Sequence, residues 1–304
     1  MGNQASTSNP QSSSRYQSST LPDSFFTSNS QTKTETPPPY TRHSSAFYAD
    51  TIDATKIVFR SSDGEYFSLD RKDCEAHTGA LIPATRSPRS MVDLTETSTI
   101  LRTLFEFVGP RKHPKLLNEK FDFLAEVARA AEKYKIFSAM NICAERMRSS
   151  GDRYPKLVLL YAAHHDYPHI FDECAPRVIT SENLEYLTPL LPDNLHLPWL
   201  RYQARWSKAL SEITSYSSIP GSAWSSNNCW RFCGQPIYQA LGTGVHSLND
   251  PSWVFSENVK RHTDSCSKCS LLCAGWKAHA DKSIDDIGVF SEKCMDETPL
   301  VKVE

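Results

Sequence analysis

Asp53-Ala54-Thr55-Lys56-Ile57-Val58-Phe59-Arg60-Ser61-Ser62-Asp63-Gly64 is the stretch whose reading decides the fold. Lys56 to Arg60 has the apolar, β-branched character of a strand. Asp63-Gly64 predicts a tight turn in which both central residues take positive φ, because that geometry matches strand twist. Tyr66-Phe67-Ser68-Leu69 then returns as a second strand, with Phe67 and Leu69 on one face. Met91-Val92-Asp93-Leu94 predicts a third extended piece that leads into a helix.

That helix has N-cap hydroxyls on offer from Thr95 to Ser98, and Glu96 suits its positive end. Ile100, Leu101, Leu104, Phe105 and Val108 recur at helical spacing until Gly109-Pro110 stops the run. A second helix carries Phe121, Leu124, Ala128 and Ala131 on one stripe. A break near Tyr134 to Ile136 separates it from a third, with Phe137, Met140, Ala144 and Met147 on its stripe. Beyond a linker at Gly151 to Pro155, Leu157 to Ala163 and Ile170 to Ile179 predict a helical pair. Pro198 is expected as a first helical residue, followed at steps of three and four by Trp199, Tyr202, Trp206, Leu210 and Ile213. Residues 215–258 read as irregular, a last helix is expected over Val259 to Ala280, and residues 283–304 read as an acidic, loosely ordered tail.

The order of these elements resembles a BTB/POZ domain. The opening hairpin, the Val92-Asp93-Leu94-Thr95-Glu96 strand-to-helix joint and the Ala130-Ala131-Glu132-Lys133-Tyr134-Lys135-Ile136 hinge carry the likeness. Cys143 falls where members of that family often have a buried cysteine, and Tyr161-Ala162-Ala163-His164-His165-Asp166-Tyr167 is similar to the segment after the BTB unit in the large mushroom-type group of fungal BTB proteins. Two departures stand out. Phe67-Ser68-Leu69-Asp70 lacks the family's histidine, and Arg71 to Thr78 is polar for a helix that docks on a sheet. Ser44 to Ile52 is also too short and polar for the helix that strand-swapped BTB dimers place before the first strand, so a monomer or weak self-association is expected.

The resemblance implies an α+β fold: a BTB/POZ unit over residues 53–150, with a helical extension at 155–215 and a Cys- and Trp-containing carboxy-terminal region at 216–282. It implies a non-enzymatic protein–protein interaction scaffold, either an adaptor of a cullin-type ubiquitin ligase or an assembler of transcription and chromatin complexes. Arg111, Lys112 and His113, in the loop after the 95–108 helix, are expected at the docking face from their position.

Composition sets the remaining bounds. In 304 residues the net charge is −2, which exerts no global pull on nucleic acid or anionic membrane. No apolar run reaches the ~18 residues of a membrane span and no secretory leader opens the sequence, so an intracellular protein of cytoplasm or nucleus is expected. Nine cysteines, an odd and scattered set, predict free thiols or metal ligands. Residues 1–46 hold nineteen Ser or Thr, five Pro and five charged side chains, a composition expected to stay disordered.

Three motifs carry candidate chemistry. Met1-Gly2-Asn3-Gln4-Ala5-Ser6 fits N-myristoylation at Gly2, although one acyl chain binds membranes only weakly. Pro37-Pro38-Pro39-Tyr40 is a Pro-Pro-x-Tyr element, pre-set for the aromatic groove of a WW domain such as some ubiquitin ligases carry, and otherwise a proline-rich spacer. His262, Cys266, Cys269 and Cys273, with Cys229 and Cys233 upstream, have metal-like spacing, and zinc takes four thiolate or imidazole ligands. The same steps of four, three and four run on to Trp276, which on one continuous helix makes a buried stripe that needs no metal. Both readings stand on the sequence alone.

No nucleophile elbow, phosphate loop or metalloprotease helix is present. Gly242-Thr243-Gly244 lacks the strand–helix context of a nucleotide site, and His164-His165-Asp166 cannot form a triad from adjacent helical positions, so one is expected to pack and the others to be solvated. No enzyme and no small-molecule substrate are expected. The alternative class is a nuclear factor whose Cys/His region binds metal or nucleic acid. Residues 198–280 carry eight Lys or Arg against four Asp or Glu, a surplus of 8 − 4 = 4 without a dense run, so nucleic acid is not the leading partner.

Overall fold

The computed structural model describes residues 55–83, 91–181, 187–216 and 229–294. Its architecture is mixed α+β, mostly helical with one small sheet. Strand β1 (Lys56–Arg60) pairs antiparallel with β2 (Tyr66–Asp70) and parallel with β3 (Val92–Asp93), in the order β2-β1-β3. The parallel pairing needs a crossover, and α1 (Arg71–His77) lies in the connection. That helix is as polar as its sequence and buries Cys74 alone, so it docks through a single side chain.

The hairpin differs from the expected two-residue turn. Its loop spans Ser61 to Glu65, the Gly64 N–H donates to the Ser61 carbonyl, and the Glu65 N–H donates to Ser61 Oγ. Within it only Gly64 takes positive φ, at 85°. The longer loop leaves Asp63 free to reach α2 (Ser98–Phe105), where its carboxylate accepts from the Ser98 N–H at 2.9 Å and Ser98 Oγ at 2.7 Å. The cap therefore comes from the hairpin; the N-cap residue Thr97 makes no side-chain cap bond.

Ile57, Phe59 and Phe67 present the buried face of the sheet to α2, and Leu69 is only half-buried. Phe105 packs on Phe59 and Phe67 with ring centroids 5.4 and 5.2 Å apart. Leu101, Leu104 and Val108 complete this core, and Gly109 ends the run at φ 108°. Helices α3 (Phe121–Tyr134) and α4 (Phe137–Ser149) form a hairpin whose hinge residue Lys135 is left-handed, at φ 50°. The hinge is pinned to the segment after α1: Gly79 and Ala80 N–H donate to the Lys135 and Tyr134 carbonyls, and Thr78 bridges Ile136. Cys143 on α4 is fully buried, and burial pushes its thiol up to about 12.

Helices α5 (Pro155–His165) and α6 (Pro168–Ile179) pack together, turned by Asp166 at φ 60°. Helix α7 (Asp193–Tyr216) starts five residues before the expected Pro198, which lies buried inside it. Proline there removes one early helix bond, and the buried face of Trp199, Tyr202, Trp206, Ala209 and Ile213 carries the helix through. Leu210, expected on that stripe, is half-buried beside it.

The region expected to be irregular is, where described, a run of short helical pieces. A π-helical turn (Trp230–Gly234) leads into α8 (Gln235–Leu241), α9 (Pro251–Phe255) and α10 (Lys260–Thr263). Helix α11 (Ser267–Asp285) then packs along α7, where the Trp276 indole N–H donates to the Ile213 carbonyl at 2.8 Å. The expected acidic tail is folded as far as residue 294. Helix α12 (Phe290–Cys294) buries Phe290 and Cys294 against α6 and α7, and the Ser291 N–H donates to Asp172 at 2.9 Å. No helix among the described residues is long and apolar enough to cross a membrane.

Candidate metal centre

The expected helix over Val259 to Ala280 is broken, and the break builds the site. Thr263, Asp264 and Ser265 are three short polar residues in a row, a composition that competes with helical hydrogen bonding. Thr263 Oγ1 turns back to the Lys260 carbonyl at 3.1 Å and Ser265 Oγ to the His262 carbonyl at 3.1 Å. The chain leaves α10, swings through an extended Cys266 at φ −137° and ψ 100°, and restarts as α11 with Cys266 as N-cap. His262 and Cys266 therefore do not share one helical stripe.

Candidate ligand atoms of Cys229, His262, Cys266 and Cys269 now lie within 4.8 Å of one another. Cys229 comes from the residue before the π-helical turn, a rare element that recurs at functional sites. His262 comes from the last turn of α10. Cys266 and Cys269 flank the first turn of α11. Cys229 and Cys269 are buried, whereas His262 and Cys266 are half-buried. The Nε2 atom of His262 is buried without a hydrogen-bond partner among the described residues, and the exposed Phe232 ring lies 5.2 Å from the imidazole. An orphaned ring nitrogen beside three thiols is a set of donors that can hold a metal ion.

Two of the six expected ligands fall outside this group. Cys233 and Cys273 are buried, and Cys233 is in hydrogen-bond contact with Cys269 and Cys273. They lie beside the four-atom cluster, joined to it through Cys269. Burial pushes the Cys233 thiol up, the Cys273 thiol up to about 12, and the Cys269 thiol well above its ordinary range. Of the expected stripe, Cys269, Cys273 and Trp276 share the buried face of α11, whereas His262 and Cys266 lie off that helix.

At the expected docking face, Arg111 and Lys112 are exposed in the loop after α2. His113 is half-buried, with its ring 5.5 Å from Phe107, so it supports the loop more than it presents a contact. Leu117, further along, is 59% exposed, and the Arg146 Nε–H donates to the Lys115 carbonyl at 3.0 Å. Gly2, the Pro37–Tyr40 element and the segment before the first strand lie outside the described residues.

A further cluster escaped the sequence reading. Glu132 on α3 is 3% exposed and accepts from Tyr161 OH at 3.3 Å and Tyr167 OH at 2.5 Å, with His165 Nδ1 at 4.0 Å and Lys135 Nζ at 3.4 Å. Both histidines of the His-His-Asp run have partners, because His164 Nε2 lies 2.9 Å from the Leu190 carbonyl, and Asp166 alone is exposed. Burial lowers the His165 pKa despite the nearby carboxylate. The signal was an ionisable residue within the apolar run of α3, whose burial shows only once its partners are placed.

No family model, curated protein or solved structure matches this chain.

Proposed function

We propose that the part of the chain from β1 to α4 is a protein-docking module of BTB/POZ type, and that the protein works as a non-enzymatic scaffold, an adaptor for a cullin-type ubiquitin ligase. The observation that carries this reading is topological. An antiparallel hairpin, a helix, a third strand parallel to the first, a further helix and a hinged helical hairpin follow one another in the order of that fold. The loop after α2 adds a surface of suitable chemistry. Arg111, Lys112 and Lys115 are exposed cations beside the exposed Leu117, which fits an acidic partner with an apolar anchor point.

The test is direct binding. The full chain mixed with the amino-terminal domain of a cullin should form a complex in analytical ultracentrifugation. Lys112→Glu combined with Leu117→Asp should weaken it by about tenfold or more, about 1.4 kcal/mol. If no cullin binds the folded full chain, the adaptor reading falls.

One observation favours the second reading, a nuclear factor with a metal-binding carboxy-terminal region, and that is the Cys/His cluster. On donor chemistry its ion is zinc, because three thiolates and one imidazole suit a borderline-soft ion of tetrahedral preference. Salt-dependent DNA binding by the zinc-loaded full chain would promote this reading over the adaptor.

A further inference from the structure

We propose that Cys229, His262 through Nε2, Cys266 and Cys269 form a closed, structural zinc site, and that this ion holds residues 229–285 in their fold, with Cys233 and Cys273 outside its coordination sphere. The proposal rests on the zinc reading of the cluster and goes beyond it in fixing the ligands and the role. Four protein donors fill a tetrahedral ion, so no position stays open for a substrate, which is the arrangement of structural rather than catalytic zinc. Tetrahedral ligation with bonds of about 2.3 Å brings sulfurs to about 3.8 Å from one another. The observed limit of 4.8 Å is within a side-chain adjustment of that spacing. His262 Nε2 has no hydrogen-bond partner among the described residues, and a buried polar atom left unsatisfied is costly unless something occupies it.

The ligands sit on three separate elements. The π-helical turn, α10 and the start of α11 are short or terminal pieces. Helices as short as α10 do not hold themselves in water. Binding replaces three S–H bonds by three Zn–S bonds and releases three protons to solvent, leaving a centre of net charge −1 (2 − 3). Arg231, Arg261 and Lys268 are exposed cations within two residues of ligands, and the start of α11 adds its own positive end. Cys233 and Cys273 are buried, with Cys233 in contact with Cys269 and Cys273, and we place them as packing beside the knot, outside it.

The experiment uses the untagged full chain. Mass spectrometry of metals should find one zinc per chain. Cobalt put in its place should give tetrahedral visible bands and thiolate charge-transfer intensity for three sulfurs. Cys229→Ser, Cys266→Ser and Cys269→Ser should each lose the ion, whereas Cys233→Ser and Cys273→Ser should keep it. Chelation of the wild-type protein should raise amide exchange in α11 by about tenfold or more and leave α3 and α4 unchanged. Absence of zinc from chain purified or refolded with it would overturn both this proposal and the zinc reading. Bound zinc with two or four sulfurs by cobalt spectrum, or lost in Cys233→Ser and kept in Cys229→Ser, would overturn the ligand set alone. Bound zinc whose removal leaves α11 protected would overturn the structural role. The cobalt spectrum and the exchange measurement use wild-type protein, so they decide even if a serine variant fails to fold.

Discussion

Asp63 and Glu96 show how single side chains join the hairpin, α2 and α3. Asp63 caps α2 from 35 residues away; burial works to raise its pKa, but the hydrogen bonds from Ser61 and Ser98 outweigh it and keep the pKa below the ordinary value. Glu96 lies just before α2 and accepts from Lys133 Nζ at 2.8 Å and from Tyr134 OH at the end of α3. Burial works against the charged form of Glu96. The hydrogen bonds from Lys133 and Tyr134 prevail and hold its pKa below the ordinary carboxylate range. A folded-state pKa below the unfolded one means that the unfolded chain binds protons first as pH falls. The stabilisation is then complete above the unfolded value of about 4.3 and is lost as pH drops through the folded one. Glu96→Gln should therefore lower the midpoint of thermal unfolding near neutral pH and flatten its fall on the acid side. Melting curves of both proteins between about pH 3 and pH 7 check this. Parallel curves would mean that Glu96 does not carry the acid sensitivity.

At the scale of elements, α12 is the clearest case of packing overruling composition. Asp285, Asp286 and Glu292 suggest a solvated tail, yet Phe290 among them is 3% exposed, with ring centroids 4.5 Å from Phe171 and 5.6 Å from Tyr202. Phe290→Ala should cost about 3–5 kcal/mol, the usual loss for an aromatic removed from a core. The urea midpoint should fall with little change in slope, and an unchanged midpoint would mean that α12 does not pack on α6 and α7 in solution. The elements from β1 to α6 were legible because their apolar positions repeat at periods of two or 3.6 and their stops are Gly, Pro or left-handed residues such as Lys135 and Asp166. One aromatic in a five-residue helix has no period to detect. The break between α10 and α11 was legible in principle from Thr263-Asp264-Ser265, but the unbroken spacing of His262, Cys266, Cys269, Cys273 and Trp276 argued more loudly for one helix. The candidate ligands were therefore read on one helix, which the break after α10 rules out. Four of the six meet only because the helix does not continue.

For the whole molecule, the decisive contact is the one between the β1–α4 region and the helices that follow it. Arg148 on α4 reaches Glu173 on α6 with bonds of 2.9 and 2.8 Å, but both side chains are exposed, so this pair contributes little. Glu132 is different. It is buried on α3, and its acceptors serve Tyr161 on α5 and Tyr167 in the turn to α6, so one carboxylate closes the seam. Burial raises the pKa of both phenols, Tyr161 most of all, so each remains a donor across the physiological range. Glu132→Ala removes the acceptor and strands two hydroxyls, at about 1–3 kcal/mol for each group left unsatisfied. We expect a total loss of about 2–5 kcal/mol, with Glu132→Gln costing less because its carbonyl still accepts one bond. Tyr167→Phe should lose less again, since it removes a donor and leaves the carboxylate with Tyr161. A double-mutant cycle between Glu132→Gln and Tyr167→Phe, read by urea unfolding, should give a coupling of at least about 0.5 kcal/mol. Strict additivity would show that the carboxylate and the phenol do not act as a pair, and the seam would then rest on apolar packing such as the Phe121–Tyr154 stack at 4.1 Å. A coupled pair would mean that the β1–α4 region and the helices that follow it are stabilised together.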